Sequence, residues 1–125
     1  MKSLQTETVV SKILIVDDHA ETRRMTRFFL RDLPFDFEEC VDGADALDCY
    51  RKFLPDWVLM DWEMKRMNGL TAMRQITEKY PQARVLMFTQ YDDKELREMA
   101  RKAGASGFVL KENLMDLRRL IAASY

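Results

Sequence analysis

Ile13-Leu14-Ile15-Val16-Asp17-Asp18 is an unbroken apolar run closed by two carboxylates. Three later stretches repeat its form. Trp57-Val58-Leu59-Met60 closes on Asp61, Val85-Leu86-Met87-Phe88 on Thr89, and Phe108-Val109-Leu110 on Lys111. Continuous apolar runs this short suit strands buried on both faces of a parallel sheet. Phe35-Asp36-Phe37-Glu38 alternates instead, which predicts a half-exposed edge strand.

The stretches between these runs carry helical spacing. Met25, Phe28 and Phe29 form a first stripe, stopped by Pro34. Ala46, Leu47, Tyr50, Phe53 and Leu54 form a second, followed by Pro55. Met73, Ile76 and Tyr80 form a third, ended by Pro81, and Leu96, Met99, Ala100 and Ala103 a fourth, with Gly104 placed to cap it. Leu114, Leu117, Leu120 and Ile121 form the last, with Asn113 at its N-cap and Asp116 in its first turn. The Met and aromatic residues of these stripes are expected in the core. Five strands alternating with five helices predict an α/β fold, (βα)5. Right-handed crossovers make it a doubly wound parallel sheet of flavodoxin-like strand order 2-1-3-4-5.

Composition narrows the class. The chain has 125 residues, 47% hydrophobic and 33% charged, which favours one folded domain over disorder. Twenty basic against 21 acidic residues, for a net charge of -1, give no sign of a nucleic-acid surface. The apolar runs fall far short of the roughly 20 residues that span a bilayer. Met1 to Ser11 is polar and lacks a signal-peptide core, so the expected compartment is the cytoplasm, with no membrane partner. Cys40 and Cys49 make neither a disulfide framework nor a four-ligand zinc site, and read as buried or half-buried thiols.

In a parallel sheet every C-terminal strand end lies along one edge, where ligands bind. Asp17, Asp18, Asp61, Thr89 and Lys111 should therefore face one crevice. Each alone is weak: Asp18 would serve as a helix cap, Thr89 as an ordinary strand-end residue, Lys111 as a solvated lysine. Together, three carboxylates at one edge repel one another, and a hard divalent cation relieves that. An oxygen-only set points to Mg²⁺ rather than Zn²⁺. A lysine and a hydroxyl opposite the metal would complete a phosphoryl cradle. His19, the one histidine, reads as a surface residue at the start of the first helix.

From Lys12 to about Ala123 the chain resembles the receiver domain of two-component response regulators. The resemblance rests on Ile13 to Asp18, Val58 to Asp61, Met64, Met67, Gly69, Phe88-Thr89 and Phe108 to Lys111. It implies that Asp61 accepts a phosphoryl group from a sensor histidine kinase or a phosphotransfer protein. Mg²⁺ is then held by Asp18 and Asp61 directly, by Asp17 through water, and by the backbone carbonyl of Glu63. Thr89 contacts the phosphoryl group, Lys111 pairs with it, and Thr89 and Phe108 act as the switch. The output face is the fourth helix, last strand and last helix, read by another protein or by a second copy, with no direct nucleic-acid contact. Lys94, Arg97, Arg101 and Arg118 are its exposed candidates.

The sequence departs from the family pattern at Lys65, Asn68, Gln90 and Glu112; Glu112 stands where a proline, commonly after a cis bond, is usual. The segment Thr89 to Asp93 and the Lys111-Glu112 pair look most like receivers attached to helix-turn-helix output domains. Here the expectation is a single receiver domain over residues 1–125, with no output domain in the chain. An aspartyl-nucleophile phosphatase would want Asp at position 63, where Glu stands, and a cap domain. A flavodoxin-like electron carrier would want a phosphate-binding loop where Asp17-Asp18 stand. A pseudo-receiver, binding proteins without phosphorylation, is the remaining alternative to a signalling switch.

Overall fold

The computed structural model describes residues 11–123; the polar N-terminal stretch read above for targeting lies, but for Ser11, outside them. The elements alternate without exception: β1 (Ser11–Val16), α1 (Ala20–Phe29), β2 (Phe35–Cys40), α2 (Ala46–Phe53), β3 (Trp57–Met60), α3 (Gly69–Lys79), β4 (Val85–Thr89), α4 (Lys94–Lys102), β5 (Gly107–Leu110) and α5 (Leu114–Ala122). A 3₁₀ turn, Gly43–Asp45, leads into α2. The five strands form one parallel sheet in the order β2-β1-β3-β4-β5, as expected. The alternating segment lies on an edge and runs two residues further than its pattern suggested, to Cys40.

Side chains alternate faces along a strand, and that parity divides the core in two. Leu14, Val16, Val58, Met60, Val85 and Met87 pack with Ala46, Tyr50, Met73, Ile76 and Ala100 of α2, α3 and α4. Ile13, Ile15, Leu59, Leu86, Phe88 and Val109 pack on the other face with Leu117 and Ile121 of α5 and with Leu30, which follows α1. Each such side chain, taken fully out of water, contributes about 1.5–3 kcal/mol.

The helix stripes are less faithful. Met25 and Phe28 are 56% and 62% exposed, and Leu54, Met99 and Leu120 are exposed as well. In α1 the inward line is Thr26 and Leu30, with Phe29 half-buried. At about 100° per residue Phe28 stands roughly 200° from Thr26. Thr26 tolerates burial because its hydroxyl donates to the Thr22 carbonyl at 2.7 Å. In α4 and α5 the pairs Ala100–Ala103 and Leu117–Ile121 turn to the sheet, leaving Met99 and Leu120 outside.

Helix ends follow the sequence signals. Asn113 accepts from the Asp116 amide at 3.3 Å, and Asn68 caps α3 by accepting from Thr71 N at 2.9 Å. Gly104, just past α4, has φ of 100°, a conformation open to glycine. No cis peptide bond occurs among the described residues, so Lys111–Glu112 is trans. No helix among them is long and apolar enough to cross a membrane.

Candidate functional site

The sheet's ladder continues one step past three strands, and those steps set the site. The Asp17 amide donates to Cys40 O at 2.9 Å, the Asp61 amide to Val16 O at 2.9 Å, and the Lys111 amide to Thr89 O at 2.8 Å. Asp17, Asp61 and Lys111 are thus fixed by main chain rather than by loops. Asp17 and Asp61 are 2% and 4% exposed. Lys111 Nζ stands 2.7 Å from Asp17 Oδ2 and 3.3 Å from Asp61 Oδ2.

One ammonium therefore serves two buried carboxylates, with Asp18 a third beside them. Burial first, then the Asp17 charge, push the Asp61 carboxyl up to about 6. Lys111 and the Trp62 amide, which donates to Asp61 Oδ1 at 2.9 Å, pull the other way without prevailing. Asp18 Oδ1 is buried and accepts no hydrogen bond.

Above these groups opens a cavity of about 420 Å³, lined by Asp18, His19, Asp61, Glu63, Met64, Lys65, Gln90, Tyr91 and Lys111. Thr89 and His19 take up positions at the two margins of this cavity. Thr89 ends β4 as foreseen but is fully buried and does not line the cavity; its Oγ1 accepts from the Tyr91 amide at 3.3 Å. His19 is exposed as read, yet it is part of the site. Its Nδ1 lies 3.0 Å from Asp17 Oδ1, 3.1 Å from Asp18 Oδ1 outside hydrogen-bonding geometry, and 3.8 Å from Asp61 Oδ2. Glu63 sits at the cavity wall, where its carboxylate accepts from the Tyr91 hydroxyl.

Phe108 in β5 is half-buried, with the Arg97 guanidinium 4.6 Å from its ring centre. Arg97 also pairs with Asp92 at 3.1 Å. Arg118, an output-face candidate, is bound to Asp32 at 2.8 and 2.9 Å and to the Phe29 carbonyl, tying α5 to the end of α1.

Two further residues hold the site from behind. Asp42 is buried and accepts from the amides of Ala44 at 2.9 Å, Arg66 at 2.9 Å and Met67 at 3.1 Å. Burial raises its carboxyl, but the three N–H groups and the Arg66 charge prevail and hold it below the usual carboxylate range. The Asp42-Gly43 dipeptide signals a turn; nothing local to it signals that the same carboxylate grips the loop between β3 and α3. Gly69 is the second. A Cβ there would meet the Asp61 carbonyl oxygen at 1.9 Å, and its amide donates to Trp62 O at 2.7 Å. The chain folds back on the residue after β3 so closely that only glycine fits.

The donor set suits a divalent cation. Asp17, Asp18, His19 and Asp61 each offer one ligand atom, all within 4.8 Å of one another. The orphaned Asp18 oxygen and the raised Asp61 carboxyl both mark negative charge that the protein leaves uncompensated.

Comparison with known proteins gives one answer. Residues 13–124 match the family model described as the response regulator receiver domain. The chain is 38% identical over 115 residues to the transcriptional regulatory protein DegU of Brevibacillus brevis, covering 90% of this chain and 48% of that one. A two-component response regulator of the LuxR family from Aurantimonas sp. SI85-9A1 superposes with a TM-score of 0.85 at 32% identity, covering 92% of this chain and 84% of that one. The chemotaxis protein CheY4 of Vibrio cholerae superposes with a TM-score of 0.85 at 26% identity, covering 94% and 100%. The chain spans about half the length of the curated relatives it matches.

Proposed function

The chain belongs to the response regulator receiver domain family, and from that premise we propose that it is a phosphoacceptor switch of a two-component system, phosphorylated on Asp61 in a Mg²⁺-dependent manner. The observation that carries the reading is the pairing of one lysine with two buried carboxylates beneath an open cavity whose third carboxylate has a buried oxygen that accepts no hydrogen bond.

Asp61 is the nucleophile. One carboxylate oxygen forms the new bond to phosphorus as the donor's bond to that phosphorus breaks, giving an acyl phosphate. Lys111 then stands beside the added oxygens. Asp17, Asp18 and Asp61, with the Glu63 carbonyl, would hold Mg²⁺, which when bound neutralises charge on the incoming group. The donor is a sensor histidine kinase or a phosphotransfer protein, and a cytoplasmic location goes with it. Turnover is confined to the chain's own acyl phosphate, so this is a switch rather than an enzyme acting on a separate substrate.

Output follows from the buried hydroxyl. If Thr89 turns toward the phosphoryl group, it gives up its contact with the Tyr91 amide and leaves space that Phe108 can enter. Phe108 turning inward would free Arg97 from its ring and change the face made by α4, β5 and α5, where a partner protein or a second copy binds. A few kcal/mol separate the states of such switches, and the phosphoryl group biases them by its differential contacts. The expectation of no direct nucleic-acid contact applies to this domain alone; the relatives named transcriptional regulators are about twice its matched length. No observation favours a pseudo-receiver.

The test is labelling by acetyl phosphate with and without Mg²⁺. Wild type should gain one phosphoryl group only with Mg²⁺, and Asp61→Asn none. Equal labelling of Asp61→Asn would refute the assignment.

A further inference from the structure

We infer that His19 supplies a nitrogen ligand to the cation of the acidic pocket and biases that site from Mg²⁺ toward borderline divalent ions such as Ni²⁺ and Co²⁺. This rests on the divalent-cation reading above and goes beyond it, since that reading uses oxygen ligands alone.

The first argument is geometric. His19 Nδ1 lies 3.0 Å from Asp17 Oδ1 and 3.1 Å from Asp18 Oδ1. Adjacent ligands of an octahedral ion bound at about 2.1 Å stand about 3.0 Å apart, the edge of that octahedron. The nitrogen thus stands at one coordination edge from each of two carboxylate oxygens, with Asp61 Oδ2 3.8 Å from it and the four candidate ligand atoms all within 4.8 Å of one another. The imidazole is held there by the hydrogen bond between its Nδ1 and Asp17 Oδ1, an oxygen that also accepts from the His19 amide at 2.8 Å. As the residue at the N-cap of α1 it has extended geometry, and its side chain makes no cap to the helix. The ring is therefore not otherwise employed by that helix end.

The second argument is chemical. A site of carboxylates, carbonyl and water suits Mg²⁺, whereas imidazole suits nickel, copper, zinc and iron. Affinity at a mixed nitrogen and oxygen site rises from Mn²⁺ through Co²⁺ to Ni²⁺. Mg²⁺ dehydrates reluctantly and gains little from replacing a water by nitrogen. The Asp18 oxygen that accepts no hydrogen bond lies 3.1 Å from this nitrogen, so an ion bound by both would satisfy that oxygen and replace the contact of the nitrogen with Asp17 Oδ1. The ring is 61% exposed on its side chain, so an ion reaches it without crossing the protein.

The rival is a resident counter-ion: a charged imidazolium sitting where the metal would go, which a metal must displace. The two differ in sign when His19 is removed. The chain holds a single histidine, so any imidazole signature of a bound ion belongs to His19.

The experiment uses the full chain without an affinity tag, with His19→Ala and His19→Gln. Mg²⁺ and Ni²⁺ are titrated separately by the fluorescence of Trp62, which adjoins Asp61, and Co²⁺ by its visible absorption spectrum. Both variants should lose roughly tenfold or more in Ni²⁺ affinity, as for loss of one nitrogen ligand, while Mg²⁺ affinity changes less than about threefold. The Co²⁺ spectrum should change with the loss of the nitrogen ligand. An equal change for Mg²⁺ and Ni²⁺, or tighter Mg²⁺ binding in the variants, overturns the His19 assignment and favours the counter-ion. No Mg²⁺ binding to wild type overturns the cation reading itself. Asp18→Asn should weaken both ions, and if it weakens neither, the ions bind elsewhere and the inference falls.

Discussion

The raised Asp61 carboxyl makes a prediction about stability. In the unfolded chain this group titrates near 3.8, and in the fold near 6. Between those values the native state binds the extra proton, so stability falls as pH rises through that window and is flat above it. A rise of about 2 from the ordinary value corresponds to roughly 3 kcal/mol lost by about pH 7 in metal-free protein. Asp61→Asn removes the titration while keeping size and shape. The variant should match wild type near pH 3.5 and be more stable by about 2–3 kcal/mol near pH 7.5, a difference of roughly 10 °C in Tm for a chain of this length. Coupling to Asp17 and to Lys111 puts the lower figure within reach. The assay is urea or thermal unfolding in EDTA at several pH values, repeated with Mg²⁺. Mg²⁺ should recover stability in wild type and do little for Asp61→Asn. A stability difference that does not change between about pH 4 and pH 7 would refute the account of Asp61 as an uncompensated buried charge.

Three other substitutions probe the supports and the output. Gly69→Ala must push the main chain off the Asp61 carbonyl and should cost about 3 kcal/mol or more, with slowed Asp61 phosphorylation; an unchanged Tm would contradict the contact. Asp42→Ala strips three amides of their acceptor and should cost about 2–4 kcal/mol; hydrogen exchange at Arg66 and Met67 should quicken, and unaltered protection would dismiss the brace. Phe108→Ala should leave Asp61 labelling near wild type while weakening phosphorylation-dependent partner binding or dimerisation, measured on one partner; equal affinities would leave Phe108 as packing alone.

The sheet was legible because its strands are buried on both faces, so Ile13–Val16, Trp57–Met60 and Val85–Phe88 are apolar without interruption. The helices were legible in extent, and in phase for α2 and α3, where Ala46, Tyr50, Met73 and Ile76 are buried, but not for α1. Each has a single inward line, and a short polar residue such as Thr26 can occupy it when its hydroxyl bonds back to its own helix. Met25 and Phe28 could not be told from core residues by spacing. The site residues Asp17, Asp18, Asp61 and Lys111 were legible because strand ends of a parallel sheet share an edge. What remained hidden depends on loop conformation. Thr89 is at the right strand end, yet its hydroxyl is turned to the Tyr91 amide. His19 folds back over the carboxylates two residues before it and beside it. Asp42 reaches from one loop to another across 24 residues of sequence to Arg66.

The site's chemical groups come from the ends of β1, β3 and β5, so its assembly spans positions 17 to 111 and needs nearly every strand pairing in the sheet. A fragment that ends before β5 lacks Lys111 and so the one cation that pairs with Asp17 and Asp61. A cation held by Asp17 and Asp61, or a phosphoryl group beside Lys111, therefore acts on the folding equilibrium of the whole sheet, by mass action, rather than on one loop. Occupancy of the pocket and cooperativity of the fold are in that sense one thermodynamic quantity: what loosens β5 at one edge loosens the grip on ligand at the centre.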